Sequence, residues 1–136
     1  MPSKARRIMG YVLTALVGLF LIGASGVPKF MDFPGKKEMF DHLGITPELA
    51  PVLGVIEIAV TLLFLIPRTS FIGAILVTGY LGGAVWTHVR VGDPWFFPII
   101  IGVVMWVALG LRKPAIFSLA CGCSKACPTG ENGATP

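Results

Sequence analysis

Charged side chains are scarce in this chain: they make up 13% of its 136 residues, whereas a soluble domain carries about a quarter. Hydrophobic residues account for 54% of the sequence. The 11 Lys and Arg residues outnumber the 7 Asp and Glu residues, but they are scattered and lack the basic patch with interleaved aromatic residues that binds nucleic acid. The composition therefore predicts an integral membrane protein whose partner is the lipid bilayer, and it excludes a nucleic-acid-binding protein.

The sequence also lacks the motifs of self-contained redox or hydrolytic chemistry. It has no C-x2-C-H haem attachment motif, no glycine-rich nucleotide fingerprint and no pair of cysteines inside an apolar segment. No complete set of a nucleophile, a base and an orienting group can be assembled from its residue pattern. We therefore expect that the protein does not catalyse a reaction alone.

The three cysteines are confined to the C-terminal end, where Cys121, Cys123 and Cys127 follow the spacing C-x-C-x3-C. A structural zinc site needs four ligands, and no histidine lies near these three. Thiols stay reduced in the cytoplasm, so they are available for a soft metal ion or for redox sensing. The three cysteines are accordingly a candidate metal site that the sequence leaves incomplete.

Four apolar segments are long enough to cross a bilayer, which takes about 17–25 helical residues. They are residues 8–27, 49–66, 70–87 and 95–111. The first follows basic residues, as a signal peptide does, but it is longer than the roughly 7–15 apolar residues of a signal core. We predict an all-α fold in which residues 1–115 form a four-helix transmembrane bundle. Residues 116–136 are predicted to form a cytoplasmic tail that contains the cysteines.

The first connection, between residues 27 and 49, is predicted to contain a short helix at the outer surface of the bilayer. Within residues 36–43, apolar and polar side chains alternate at helical spacing, and Gly44 can end the helix. Such an amphipathic helix is typical of segments that lie in the membrane interface. The fold class is therefore a four-helix transmembrane bundle with a short interfacial helix between the first two spans.

The basic residues near the ends of the spans predict the orientation in the membrane. If the N-terminus is cytoplasmic, that side holds seven Lys and Arg residues and the outer side holds four. The cytoplasmic ones are Lys4, Arg6, Arg7, Arg68, Arg112, Lys113 and Lys125. Because cytoplasmic loops carry the excess of basic residues, we predict a multi-pass protein of the cell (inner or plasma) membrane with both termini in the cytoplasm.

Glu57 is the only acid within the four apolar segments. A charged side chain at the centre of a membrane helix costs about 2.5–3.5 kcal/mol on insertion scales, so it marks a candidate functional site. The tight turn at residues 67–69 makes the second and third spans antiparallel neighbours, which brings Tyr80 near the depth of Glu57 and His88 above it. With Lys29 at the outer end of the first span, these four residues are predicted to line one pocket that opens to the outer half of the membrane.

Simpler interpretations of the same residues remain open. Glu57 can serve only to fix helix register, since buried ionisable groups sometimes provide specificity alone. The small and polar residues at helical spacing, including the Gly79-x-x-x-Gly83 pair, are typical of close contacts between membrane helices. Arg68 and Arg112 are most simply topology anchors, and His88 can be a surface residue at a helix end.

Several segments together resemble the DoxX-like family of small bacterial integral membrane proteins. They are SGVPKF at 25–30, LGI at 43–45, LGVIE at 53–57, PRT at 67–69 and GYLGGAVWTH at 79–88. The resemblance extends from the first span through the fourth and leaves out the cysteine-containing tail. It implies a four-helix transmembrane bundle with polar positions at Lys29, Glu57, Tyr80 and His88. The family takes its name from a subunit associated with thiosulfate:quinone oxidoreductase, and other relatives are linked to membrane redox complexes.

The leading functional hypothesis is an accessory subunit of a membrane redox system that offers a pocket for a quinone. In that role, His88 or Tyr80 hydrogen-bonds a ring carbonyl, Glu57 exchanges a proton, and electrons come from redox-enzyme partner subunits. One alternative is a small proton-coupled transporter; small multidrug resistance transporters use a membrane Glu, although theirs is on the first span. The other is a structural membrane adaptor without a ligand, in which Lys29 and Glu57 form an interhelical pair.

Overall fold

The computed structural model of the protein describes residues 3–122, and the fold in this part of the chain is built from helices. The helices are α1 (Lys4–Leu19), α2 (Lys36–Leu43), α3 (Leu49–Leu65), α4 (Ser70–Val91), α5 (Phe96–Arg112) and α6 (Pro114–Ala120). The predicted all-α class is confirmed, and α1, α3, α4 and α5 fall in the four apolar segments. Helix α2 occupies the position of the predicted short helix, and α6 runs across the boundary that we placed between residues 115 and 116, where the tail was predicted to start.

Two helical stretches, Lys4–Phe30 and Ser70–Val91, are long and apolar enough to cross a membrane. Only 28% of the apolar window of each stretch is buried inside the protein, whereas a core helix of a soluble protein is mostly buried. The other two main helices, α3 and α5, are apolar but shorter, with 17 residues each. The length and apolar surface of the two long stretches indicate a membrane protein.

Among the four main helices, α3 packs against α4, α4 packs against α5, and α5 packs against α1. Their shared apolar core consists of Val17, Leu21, Phe64, Ala74, Val77, Leu81, Met105 and Leu109. Helices α3 and α4 approach each other closely at Gly73, where a Cβ would lie 2.2 Å from the backbone nitrogen of Phe64. This backbone contact fixes α3 beside α4 and sets the distance between Glu57 and the facing side of α4.

The first helix changes its neighbour part-way along. Its regular part, α1, packs against α5, while the continuation packs against α3 as a π-helical segment (Phe20–Gly26) and a 3-10 turn (Val27–Phe30). π-Helical turns are rare and occur frequently at functional sites. Because the π segment turns toward α3, space is left between it, α4 and the first turns of α5.

Arg112, interpreted from the sequence as a topology anchor, is buried between α1 and α5 and is only 8% exposed. Its Nη1 donates a hydrogen bond of 2.9 Å to Thr14 Oγ1. The guanidinium carbon lies 5.0 Å from the ring centre of Tyr11 and 6.0 Å from that of Phe64. Within residues 3–122, its Nε and Nη2 have no hydrogen-bond partner. Arg112 therefore links α5 to α1 through the Thr14 hydrogen bond and the Tyr11 ring, and to α3 through the Phe64 ring.

Thr14→Val should lower the free energy of unfolding by about 1.5–3 kcal/mol, the usual value of a hydrogen bond to a charged group. The change keeps the shape of the side chain but leaves Arg112 without its hydroxyl acceptor. Thr61→Val is the matched control: Thr61 is also buried and also donates to the carbonyl four residues earlier, but no charged side chain in the described part of the chain bonds to it. Denaturant unfolding in detergent micelles checks the difference, and equal losses in the two variants would contradict the role given to Arg112.

Candidate functional site

A cavity of about 860 Å³ occupies the space that the π segment leaves beside α4 and α5. Residues of α2 and α3 complete its wall. Its volume falls within the range of about 300–1,000 Å³ that is typical of small-molecule sites. Most of the lining is apolar, and the polar side chains are Ser25, Lys29, Glu57, Tyr80, Thr87 and His88. The cavity thus combines apolar walls with a small polar group, as ligand sites do.

Glu57 is the centre of the polar group. Its Oε2 accepts a hydrogen bond of 2.7 Å from Lys29 Nζ and one of 3.2 Å from Tyr80 Oη. The Glu57 side chain is 2% exposed and that of Lys29 is 13% exposed. A buried carboxylate is tolerated only when it is paired and hydrogen-bonded, and these two contacts supply both conditions. They also join three parts of the fold: the 3-10 turn, α3 and α4.

Local structure explains why Lys29 reaches Glu57. The π segment carries Ser25 toward α3, and Lys29 Nζ also donates to the Ser25 carbonyl at 2.9 Å and to Ser25 Oγ at 3.0 Å. Gly54, one turn before Glu57 on α3, leaves room for the Phe30 ring and for Cβ of Lys29. Lys36 Nζ then donates to the Lys29 carbonyl at 3.2 Å and fixes the chain beyond the turn.

The Gly79 and Gly83 pair was interpreted as a close contact between helices, and the structure shows a different role. Both glycines line the cavity. Among the residues that the structure describes, no heavy atom lies within 4 Å of a Cβ built at either position. The pair therefore widens the cavity instead of bringing two backbones together.

The family comparison adds to this geometry. The DoxX-like family matches residues 12–110 of the chain. The chain belongs to the DoxX-like family. Lys29, Glu57, Tyr80 and His88, which the sequence predicted as one site, all lie inside the matched region of this DoxX-like protein. Neither a curated protein nor a solved structure has a significant similarity to it.

His88 of the DoxX-like protein lines the cavity without joining the Glu57 contacts. Its Nδ1 lies 3.9 Å from Asp93 Oδ2 and, within the described part of the chain, has no hydrogen-bond partner. Asp93 instead contacts His42 Nε2, which lies 3.1 Å from both carboxylate oxygens. The structure thus brings three of the four predicted pocket residues into direct contact and places His88 elsewhere on the same wall.

Two contacts that the sequence pattern does not predict hold helix α2 against the end of α4. Arg90 Nη2 donates a hydrogen bond of 2.6 Å to the Leu43 carbonyl, and the His42–Asp93 pair lies beside it. Met39, Phe40 and Leu43 of α2 line the cavity. The contacts join residues about fifty positions apart, so helical spacing contains no signal for them. Ser25 differs, because its i,i+4 spacing from Lys29 is visible in the sequence.

The cysteine site falls mostly outside the described residues, since Cys123 and Cys127 lie beyond residue 122. Cys121 is exposed. Across residues 3–122 no group of three or more His, Cys, Asp or Glu side chains is placed to hold a metal ion. The soft-metal or redox role of the three cysteines stays a prediction.

Proposed function

We propose that this DoxX-like protein spans the cell membrane four times and binds a small, largely apolar ligand of quinone type in its cavity. In this proposal it acts as an accessory subunit that supplies the binding site to redox-enzyme partner subunits. The observation that carries the proposal is the cavity itself, which pairs apolar walls with a buried Lys29–Glu57–Tyr80 group. An aromatic ring and an alkyl tail fit such walls, and the polar group can orient the substituents of the ring.

The charge distribution supports the membrane arrangement. One end of the helices carries six basic residues: Lys4, Arg6, Arg7, Arg68, Arg112 and Lys113. The six acids within the described residues all lie in α2, in α3 or in the connections at the other end. By the excess of basic residues on the cytoplasmic side, the basic end and both termini are cytoplasmic. The cavity then belongs to the outer half of the membrane.

Binding of a quinone analogue tests the ligand. We expect a short-chain ubiquinone or menaquinone analogue, titrated into the purified protein in lipid nanodiscs, to bind with saturation. Glu57→Gln should weaken binding of the reduced (quinol) form of the analogue, and His88→Ala should weaken binding of either form, by about tenfold, as expected when a buried polar contact of about 1.4 kcal/mol is lost. Glu48→Gln is the matched control, because it makes the same change at an exposed acid next to α3. Binding that neither Glu57→Gln nor His88→Ala alters would refute the quinone pocket.

A steric variant tests the cavity without touching its polar groups. Gly83→Leu places a side chain in the open space along α4, so it should abolish binding of the same analogue while leaving the Lys29–Glu57 pair in place. Gly82→Leu is the control, since Gly82 is exposed and does not line the cavity, and no described residue places a heavy atom within 4 Å of its Cβ position. Equal affinities for the Gly82 and Gly83 variants would place the ligand outside the cavity.

The second candidate function is the structural adaptor, and the Lys29–Glu57 contact of 2.7 Å favours it. An adaptor needs this pair to hold the 3-10 turn against α3 and needs no ligand. The two proposals differ in what they expect of ligand binding and of a blocked cavity. If no quinone analogue binds the unaltered protein, and if Gly83→Leu changes neither stability nor association with partner subunits, the adaptor explains the pair and the cavity has no functional role.

A further inference from the structure

Hydrogen-bond donors and acceptors are unequally distributed around Glu57. Lys29 has three ammonium hydrogens, and they point to three acceptors: the Ser25 carbonyl at 2.9 Å, Ser25 Oγ at 3.0 Å and Glu57 Oε2 at 2.7 Å. An ammonium group has no further donor and no acceptor. Although Lys29 lines the cavity, it therefore has no hydrogen left for a ligand.

The hydroxyl hydrogens of the α4 side chains at the cavity are likewise already donated to other groups of the protein. Tyr80 donates its hydrogen to Glu57 Oε2 at 3.2 Å, and Thr87 donates its hydrogen to the Gly83 carbonyl at 2.9 Å. A hydroxyl that has donated its one hydrogen can only accept from a further partner. Both side chains consequently offer lone pairs to the cavity.

Glu57 completes this acceptor surface. A carboxylate paired with an ammonium group only accepts hydrogen bonds, and both bonds to Glu57 end on Oε2. Within the described residues no hydrogen bond ends on Oε1. The wall formed by Glu57 and Tyr80 therefore presents oxygen lone pairs and no hydrogen. Among the polar lining residues, Ser25 and His88 are the ones that still have a hydrogen to donate.

We infer that this wall selects a ligand by its hydroxyl hydrogen, so that the cavity holds a quinol or another phenol in preference to the corresponding quinone. The inference rests on the proposed function and makes its ligand class specific. A phenolic hydroxyl can donate a hydrogen bond to Glu57 or Tyr80. A quinone carbonyl at the same place has no hydrogen to donate, and its oxygen lone pairs would face those of Glu57 and Tyr80. Polar sites built for a hydroxyl reject analogues that lack it much more strongly than apolar pockets reject a change of size.

The preference reverses the roles that the sequence alone indicated. There, either His88 or Tyr80 was expected to hydrogen-bond a ring carbonyl. In the structure the hydroxyl hydrogen of Tyr80 is already directed to Glu57, and its oxygen is the atom that remains for the ligand. A quinol bound in this way needs no movement of the Lys29–Glu57–Tyr80 group, whereas a carbonyl bound to Tyr80 would require its bond to Glu57 to break.

The test compares two redox-inert probes, para-decylphenol and its methyl ether, which differ only in the replacement of the hydroxyl hydrogen by a methyl group. In nanodiscs, we expect the phenol to bind at least about tenfold more tightly than the ether, the factor that corresponds to one buried hydrogen bond. Decylubiquinol should exceed decylubiquinone by a similar factor under anaerobic conditions. Tyr80→Phe removes one acceptor and leaves the Lys29–Glu57 pair intact, so it should reduce the ratio of the two affinities. Tyr11→Phe, at the opposite end of the protein, should leave that ratio unchanged.

The ratio separates recognition from stability, because a variant that merely loosens the fold weakens both probes equally. An ether that binds as tightly as the phenol, or a quinone that binds more tightly than its quinol, would overturn the inference and leave a quinone-type site standing. If none of the four compounds binds, the proposed function falls together with the inference.

Discussion

Lys29→Met is expected to lower the free energy of unfolding by about 3–5 kcal/mol, the cost of removing one partner from a buried ion pair. The Glu57 side chain is 2% exposed, so hydration can offset little of the loss of the ammonium group. Tyr80 would remain as the one side chain that donates to the carboxylate within the described residues. The loss should also loosen the 3-10 turn from α3, because the Lys29 ammonium group links the turn to Glu57. Unfolding by a denaturing detergent, followed by far-ultraviolet circular dichroism, measures the change.

A second substitution identifies the cause of the loss. In the double variant Lys29→Met, Glu57→Gln no unpaired charge remains, so it should be more stable than Lys29→Met alone. The matched control is Lys37→Met, which removes an exposed lysine of α2 and should change the stability by less than about 0.5 kcal/mol. If Lys29→Met were as stable as Lys37→Met, the pair would have no structural role.

The sequence predicts the helices because length and apolar composition are local properties. The four apolar segments and the short helix before Gly44 correspond to helices in the structure. The ends of the helices are less well predicted where a helix ends through a particular backbone conformation. We placed the end of the third span at residue 87, whereas α4 continues to Val91 and ends at Gly92, whose φ of 76° is left-handed. His88 and Arg90 therefore belong to the last turn of α4 and lie beyond the end that we predicted for the third span.

The candidate site is only partly visible in the sequence. Depth along antiparallel helices places Tyr80 close to the level of Glu57, and the structure joins them at 3.2 Å. Helical spacing shows which face a residue occupies but not what that face meets. For this reason the Gly79 pair looked like a helix contact and Arg112 looked like a surface anchor. The π segment could not be predicted either, because it packs against α3 and has no local sequence motif.

Gly73→Ala should give the other large effect, because the new methyl group would meet backbone atoms that cannot turn aside. The Cβ position lies 2.2 Å from the nitrogen and 2.5 Å from the Cα of Phe64. The contact requires α3 and α4 to move apart, and inserting atoms into a packed core costs about 1–3 kcal/mol or more. The same movement would lengthen the Tyr80–Glu57 hydrogen bond, so the affinity for the phenol probe should fall with the stability.

Gly82→Ala, on the same helix, supplies the comparison and should have the opposite sign. No heavy atom lies within 4 Å of its Cβ position within the described residues, so the higher helix propensity of alanine, about 1 kcal/mol, is the main effect. Far-ultraviolet circular dichroism during denaturation measures the stability of both variants. The phenol titration shows whether a movement of α3 and α4 also changes the affinity of the site. A Gly73→Ala protein as stable as Gly82→Ala would mean that α3 and α4 do not touch at this point. The distance between Glu57 and Tyr80 would then have to be set by the Lys29–Glu57–Tyr80 group itself, because packing at Gly73 would no longer explain it.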